Sequence, residues 1–145
     1  MITVIQRVSQ ASVTVNHQLI AEISTGIVAL VAIEKKDTFA VAEKLLKRIL
    51  NYRIFADEND KMNLSLRDIN GGLLLIPQFT LAADTQKGNR PSFTSAASPE
   101  QSHTLFSYLQ TYAQTIHAPV AFGQFGHDMQ VSLINNGPAT FTLQV

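Results

Sequence analysis

The chain has 145 residues, enough for one domain with a proper core, and 46% of them are apolar. With no cysteine it can form neither a disulfide, nor a thiolate metal site, nor a cysteine nucleophile. Lys plus Arg equal Asp plus Glu at 11 each, so the basic excess of a protein that grips a long duplex is missing and any nucleic-acid contact should be short.

Met1 runs straight into Ile-Thr-Val-Ile with no basic stretch before an apolar one, which predicts no secretory signal and a cytoplasmic protein. Residues 1–9 read as a strand, with Ile2, Val4 and Val8 on one parity. Residues 11–15 alternate more cleanly, with Ala11, Val13 and Val15 facing one way. Asn16-His17 predicts a turn and Leu19 to Ile23 a return strand. Gly26 to Ile33 is a nearly unbroken Val/Ile-rich run, the pattern of a strand covered on both faces. Asp37 predicts a helix cap, followed by Phe39, Ala42, Leu45, Leu46 and Ile49 at helical spacing. Lys44, Lys47 and Arg48 lie on the opposite, solvated face.

A short strand is expected at Tyr52 to Phe55, then a polar turn at residues 57–61. Those acids lack the spacing and closing Glu of a calcium loop. Leu73 to Ile76 is a second buried strand, leading into Pro77-Gln78-Phe79-Thr80-Leu81. Residues 83–97 form a long polar connection containing Lys87 and Arg90; loops of that length are usually functional or mobile. Ser98-Pro99-Glu100-Gln101 combines a cap, a proline at the first helical position and a capping-box Gln. Leu105, Phe106, Leu109, Tyr112, Ala113 and Ile116 make the apolar stripe of that helix. Pro119 to Phe122, Met129 to Ile134 and residues 140–143 predict the last strands. The whole of 1–145 reads as one α/β (α+β) domain, largely antiparallel and barrel-like, with two amphipathic helices. No Gly-rich phosphate loop follows a strand, and the apolar runs are too short to span a bilayer, so neither a nucleotide cofactor nor a membrane is expected.

Chemistry is sparse. The histidines at 17, 103, 117 and 127 show no metal-ligand spacing and no triad with Ser and Asp, so no metal is expected. Thr80 stands out because it follows a buried strand where a loop begins, leaving its hydroxyl and nearby N–H groups free. Asn136-Gly137-Pro138-Ala139-Thr140 is the other unusual stretch. Asn-Gly alone makes a hairpin turn, and Pro138 is an addition that permits a cis bond and two carbonyls aimed nearly alike.

Gln78-Phe79-Thr80-Leu81 together with Asn136-Gly137-Pro138-Ala139-Thr140 resembles the two signature motifs of the D-aminoacyl-tRNA deacylases. The likeness covers nearly the whole chain, through Ile5-Gln6-Arg7-Val8, Tyr52-Arg53-Ile54-Phe55, Lys61-Met62-Asn63-Leu64, Arg90-Pro91-Ser92-Phe93 and Met129-Gln130-Val131-Ser132-Leu133. The resemblance implies a cytoplasmic homodimer that hydrolyses the ester of D-aminoacyl-tRNA, and of glycine mischarged on alanine tRNA, without a cofactor. It implies that Gly137 and Pro138 form a chirality filter reaching into the partner's site, that Arg7 fixes that motif, and that Gln78, Phe79 and Thr80 line the pocket for the terminal adenosine and the scissile ester. Lys87 and Arg90 are candidates for RNA contact. One position departs: the family's usual Ser before Gln-Phe-Thr-Leu is Pro77 here, which removes a hydroxyl and an N–H.

Rejection by a stiff wall separates mirror-image substrates better than attraction, since both bear the same groups; glycine, with no side chain, passes the same wall. Two routes for the ester follow. Thr80 attacks as a nucleophile, which needs a base, or water attacks with help from the substrate's own ribose hydroxyl while the protein positions and donates N–H groups; the second is preferred. A non-catalytic module that stacks RNA ends on Phe79 is the alternative from another class.

Overall fold

Alternating Ile, Val and Thr make the first strand, β1 (Ile2–Val15), the longest straight run of the N-terminal half. The computed structural model describes residues 1–145. β1 buries Thr3 and Ile5, then Val8, then Ala11, Val13 and Val15. The buried parity therefore switches along the strand, and Ile2 and Val4, expected on the buried face, are only half covered. Asn16 and His17 both take positive φ, 48° and 64°, the conformation of a tight hairpin turn, and the chain returns as β2 (Gln18–Ile23).

β3 (Gly26–Ala32) pairs antiparallel with the first half of β1. Helix α1 (Phe39–Leu50) then packs Ala42, Leu45, Leu46, Ile49 and Leu50 onto the sheet. Its cap is Thr38, whose hydroxyl accepts from the Val41 N–H, rather than Asp37. Asp37 is taken elsewhere: its Oδ1 lies 2.7 Å from the Met1 ammonium and its Oδ2 accepts from the Glu34 N–H. Phe39, expected in the apolar stripe, is instead exposed and packs on Tyr108.

A small ribbon follows, β4 (Phe55–Ala56) with β5 (Met62–Leu64), so only the end of the strand expected at 52–55 forms. The Asp57 carboxylate is occupied by the N–H groups of Asn59 and Lys61. β6 (Gly72–Pro77) lies parallel to β3, and the two backbones approach so closely at Gly26 that a Cβ there would fall on the Gly72 carbonyl. A single 3₁₀ turn, Phe79–Ala82, and the connection to residue 98 lead to α2 (Pro99–Ile116). Ser98 caps α2 as expected, but Gln101 does not close a capping box; its amide donates to the Lys35 carbonyl. β7 (Val120–Phe122) pairs parallel with β6, and β8 (Gln130–Gln144) runs antiparallel along the other edge of β1.

The result is one α/β domain whose six-stranded sheet, in the order β2-β1-β3-β6-β7 with β8 beside β1, curls until β2 approaches β7. Pairing around β1 is antiparallel and pairing around β6 is parallel. Ile27, Ala29, Leu73 and Leu75 point toward the helices, into the larger core. Val28, Leu74 and Ile76 point into the curl, where they meet Val8, Val13 and Ile23. Both faces of the two central strands are thus dry, which explains their unbroken apolar sequences. No helix is long and apolar enough to cross a membrane.

Candidate active site

Gly137-Pro138 does not turn the chain. β8 pairs with the same strand before and after it, Ala11↔Leu133 on one side and Ile5↔Phe141 on the other, with breaks in register between Gln6 and Gln10. The surplus residues of β8 bulge outward there, so residues 136–138 are exposed while Ala139 is buried again. The 137–138 peptide is cis.

Side chains from both strands hold this bulge. Arg7 Nε donates to the Asn136 carbonyl at 2.8 Å, and another guanidinium nitrogen donates to the Ile54 carbonyl. Asn135 Nδ2 donates to the carbonyls of Arg7 and Ala139, both at 3.2 Å. Gln6 Nε2 adds a bond to Thr140 Oγ1. A Cβ at position 137 would strike Asn135 Oδ1, so any larger residue there displaces the Asn135 amide. Sequence reading found Arg7 only through its resemblance and missed Asn135, which nothing local distinguishes from the turn residues beside it.

Gln78 and Phe79 of the second motif line a cleft of about 540 Å³, whereas Thr80, expected to line it with them, does not. β6 carries it: Ile76 ends the buried strand, Gln78 N–H bonds to the Val31 carbonyl at 2.8 Å, and the chain then winds into the 3₁₀ turn. Pro77 closes β6 opposite Val31 and packs beside Gly123. Phe79 is 59% exposed and its ring stacks obliquely on Phe93, 5.2 Å between centroids. The N–H groups of Phe79 and Thr80 open the turn and have no partner within it. Thr80 is exposed, and its Oγ1 accepts a short hydrogen bond from Gln78 Nε2.

The opposite wall was not expected as a wall. Phe125, His127, Asp128 and Met129 form it, with Ser102 of α2 at the base. The Gly-flanked aromatic at 125 was the available signal. His127 Nδ1 meets the Phe125 carbonyl at 3.0 Å and its Nε2 meets the Gln124 amide at 3.3 Å. His117 caps α2 against the Gly71 carbonyl. Lys87 and Arg90 stand exposed on the connection that presents Phe93. Gly137 and Pro138 do not line the cleft of their own chain.

A family model described as D-Tyr-tRNA(Tyr) deacylase matches residues 4–144. The chain belongs to this deacylase family. Membership brings the reaction class with it, since a deacylase is a hydrolase. The D-aminoacyl-tRNA deacylase of Pseudoalteromonas translucida (strain TAC 125) is 57% identical over 141 residues, 97% of each chain. That of Cellvibrio japonicus (strain Ueda107) is 51% identical over 145 residues, 100% of this chain and 99% of the relative. Among solved structures, c-Myc DNA Unwinding Element Binding Protein superposes with a TM-score of 0.92 at 38% identity, covering 100% of this chain and 99% of that one. A probable eukaryotic D-amino acid tRNA deacylase gives 0.86 at 14% identity, covering 99% and 98%, a likeness of fold. In this deacylase-family chain the two motifs sit on different strands, one in a cleft and one on an exposed bulge.

Proposed function

We propose that the chain removes D-amino acids from tRNA by an RNA-assisted hydrolysis in the cleft lined by Gln78 and Phe79, beside Thr80. The family and its close relatives support the deacylation of D-aminoacyl-tRNA. The terminal adenosine sits against Phe79, and the ester carbonyl faces the N–H groups of Phe79 and Thr80, which meet the charge that grows on its oxygen. A water adds to the carbonyl carbon, the bond to the ribose oxygen breaks, and the proton passes by way of the neighbouring ribose hydroxyl to that leaving oxygen. Free amino acid and tRNA result.

The observation that carries this route is the partner of Thr80. Its hydroxyl oxygen accepts from an amide N–H and has no carboxylate or imidazole partner, so the chain equips it to position and not to attack. In a second copy of the chain, Gly137 and Pro138 supply main-chain carbonyls that take the substrate's α-amino group and exclude an L side chain. Two features support a homodimer: those residues project from the surface of their own chain, and β8, unpaired on its outer edge, exposes Val131 and Ile134. The same wall admits glycine, so glycyl-tRNA is a substrate too. A cytoplasmic location goes with a tRNA substrate.

Deacylation of D-tyrosyl, L-tyrosyl and glycyl esters on tRNA tests the reading. Turnover of the first and third without the second is expected; equal turnover of both tyrosyl enantiomers refutes the filter. Thr80→Ala should slow single turnover without abolishing it, whereas removal of the terminal 2′-hydroxyl from a 3′-linked substrate should nearly stop it. Undiminished hydrolysis of the deoxy substrate refutes the RNA-assisted route.

A further inference from the structure

A second pocket, of about 490 Å³, adjoins the cleft. Phe125 and His127 line both, so they form the partition between them. Its other walls come from α2 (His103, Ser107, Gln110), from Ile20 of β2 and from Gln124. The proposed reaction uses none of these.

The lining fits one kind of guest. The His103 ring stands edge-on to Phe125, 5.3 Å between centroids and 78° between planes, and Ile20, 40% exposed, adds an apolar surface. Aromatic and imidazole faces of this sort take a flat heterocycle. Two amides and a hydroxyl, on Gln110, Gln124 and Ser107, offer both donors and acceptors at its edge. No Lys, Arg, Asp or Glu lines the pocket, so a phosphate or an ammonium finds no charged partner there.

We infer that this pocket receives the base of the nucleotide preceding the terminal adenosine, so that the RNA end is read at two successive bases on either side of Phe125 and His127. The inference rests on the function proposed above. It explains how a chain of zero net charge holds an RNA end: stacking and amide contacts replace phosphate contacts.

The test compares two substrates, D-tyrosyl-tRNA and 3′-O-D-tyrosyl-adenosine, which lacks the preceding nucleotide. The quantity read is the ratio of kcat/KM for tRNA over kcat/KM for the adenosine ester. In the His103→Ala/Gln110→Ala variant that ratio should fall about tenfold, through KM, as expected for loss of one stacked base. An unchanged ratio, whether both rates fall together or neither does, overturns the inference. A binding readout stands apart from catalysis and from the deacylase reading: an uncharged acceptor-stem hairpin with 2-aminopurine as its penultimate base. Fluorescence quenching with the unaltered protein, lost in the variant, is expected. Quenching that is absent with the unaltered protein, or equal in the variant, overturns it.

Discussion

Arg7 ties the bulge to the backbone at Ile54, and its loss has a calculable effect. The guanidinium donates to Asn136 O at 2.8 Å, at the surface, and to Ile54 O, partly buried. A hydrogen bond from a charged donor contributes about 1.5–3 kcal/mol net, and the exposed one belongs at the lower end. Arg7→Lys retains the charge but has a single donor head, which reaches one carbonyl and not both. If lysine keeps the Ile54 bond, the Asn136 carbonyl loses about 1.5 kcal/mol of restraint, and the ratio of in-place to displaced bulge falls about tenfold. Hydrolysis of D-tyrosyl-tRNA at subsaturating substrate should fall by up to that factor while the urea midpoint barely moves. Arg7→Ala gives up both bonds and should lower the midpoint as well. Paired measurements of kcat/KM and urea unfolding check this. A lysine variant with unaltered kcat/KM, or an alanine variant losing stability alone, would refute the claim that Arg7 serves the bulge.

Three further outcomes are expected. Gly137→Ala drives a Cβ into Asn135 Oδ1, so the amide must swing away from the carbonyls of Arg7 and Ala139; deacylation should drop at least tenfold with the melting temperature little changed, and full activity in a stopped assay would contradict it. Asp37→Asn removes one of two carboxylates from the buried Met1 ammonium and leaves Glu34 in place; a loss of about 1.5–3 kcal/mol, or about 3–12 °C in Tm, is expected by calorimetry, and a shift under 1 °C would show the pair to be dispensable. The Tyr108 hydroxyl, 2.6 Å from Glu43, is the main cause of the lowered Glu43 pKa. A carboxylate depressed in the folded state stabilises above its unfolded pKa and loses that contribution as pH falls through the folded value. Tyr108→Phe should therefore lower the urea midpoint at about pH 7 and leave it nearly unchanged at about pH 3, where an equal loss would point to packing instead.

What the sequence revealed were the features whose cause is local. The two unbroken apolar runs became the central strands, and Ser98-Pro99 started a helix because cap and first-turn geometry need only neighbouring residues. The hidden features have distant partners. Asp37 looks like a cap until Met1, 36 residues away, claims its carboxylate. Residues 130–144 look like two strands around a turn until β1 is there to pair with both halves. The far wall of the cleft, at 125–129, comes from a loop whose place is set by β7 and α2, and Asn135 acts only because Arg7 lies beside it. The exposed bulge itself was legible as an oddity, a proline after Asn-Gly, but only the resemblance implied that it would lie away from its own cleft.

A carbonyl oxygen is encoded by no codon. If the atoms that judge handedness are the main-chain oxygens of residues 137 and 138, no substitution can swap them for another group. Mutation reaches them through their position alone, by way of residue 137 itself or of the residues that brace the loop, of which Arg7 and Asn135 stand 128 positions apart and bond to one another. On that condition, drift in this gene would act on the gate by moving it and not by changing what it is made of.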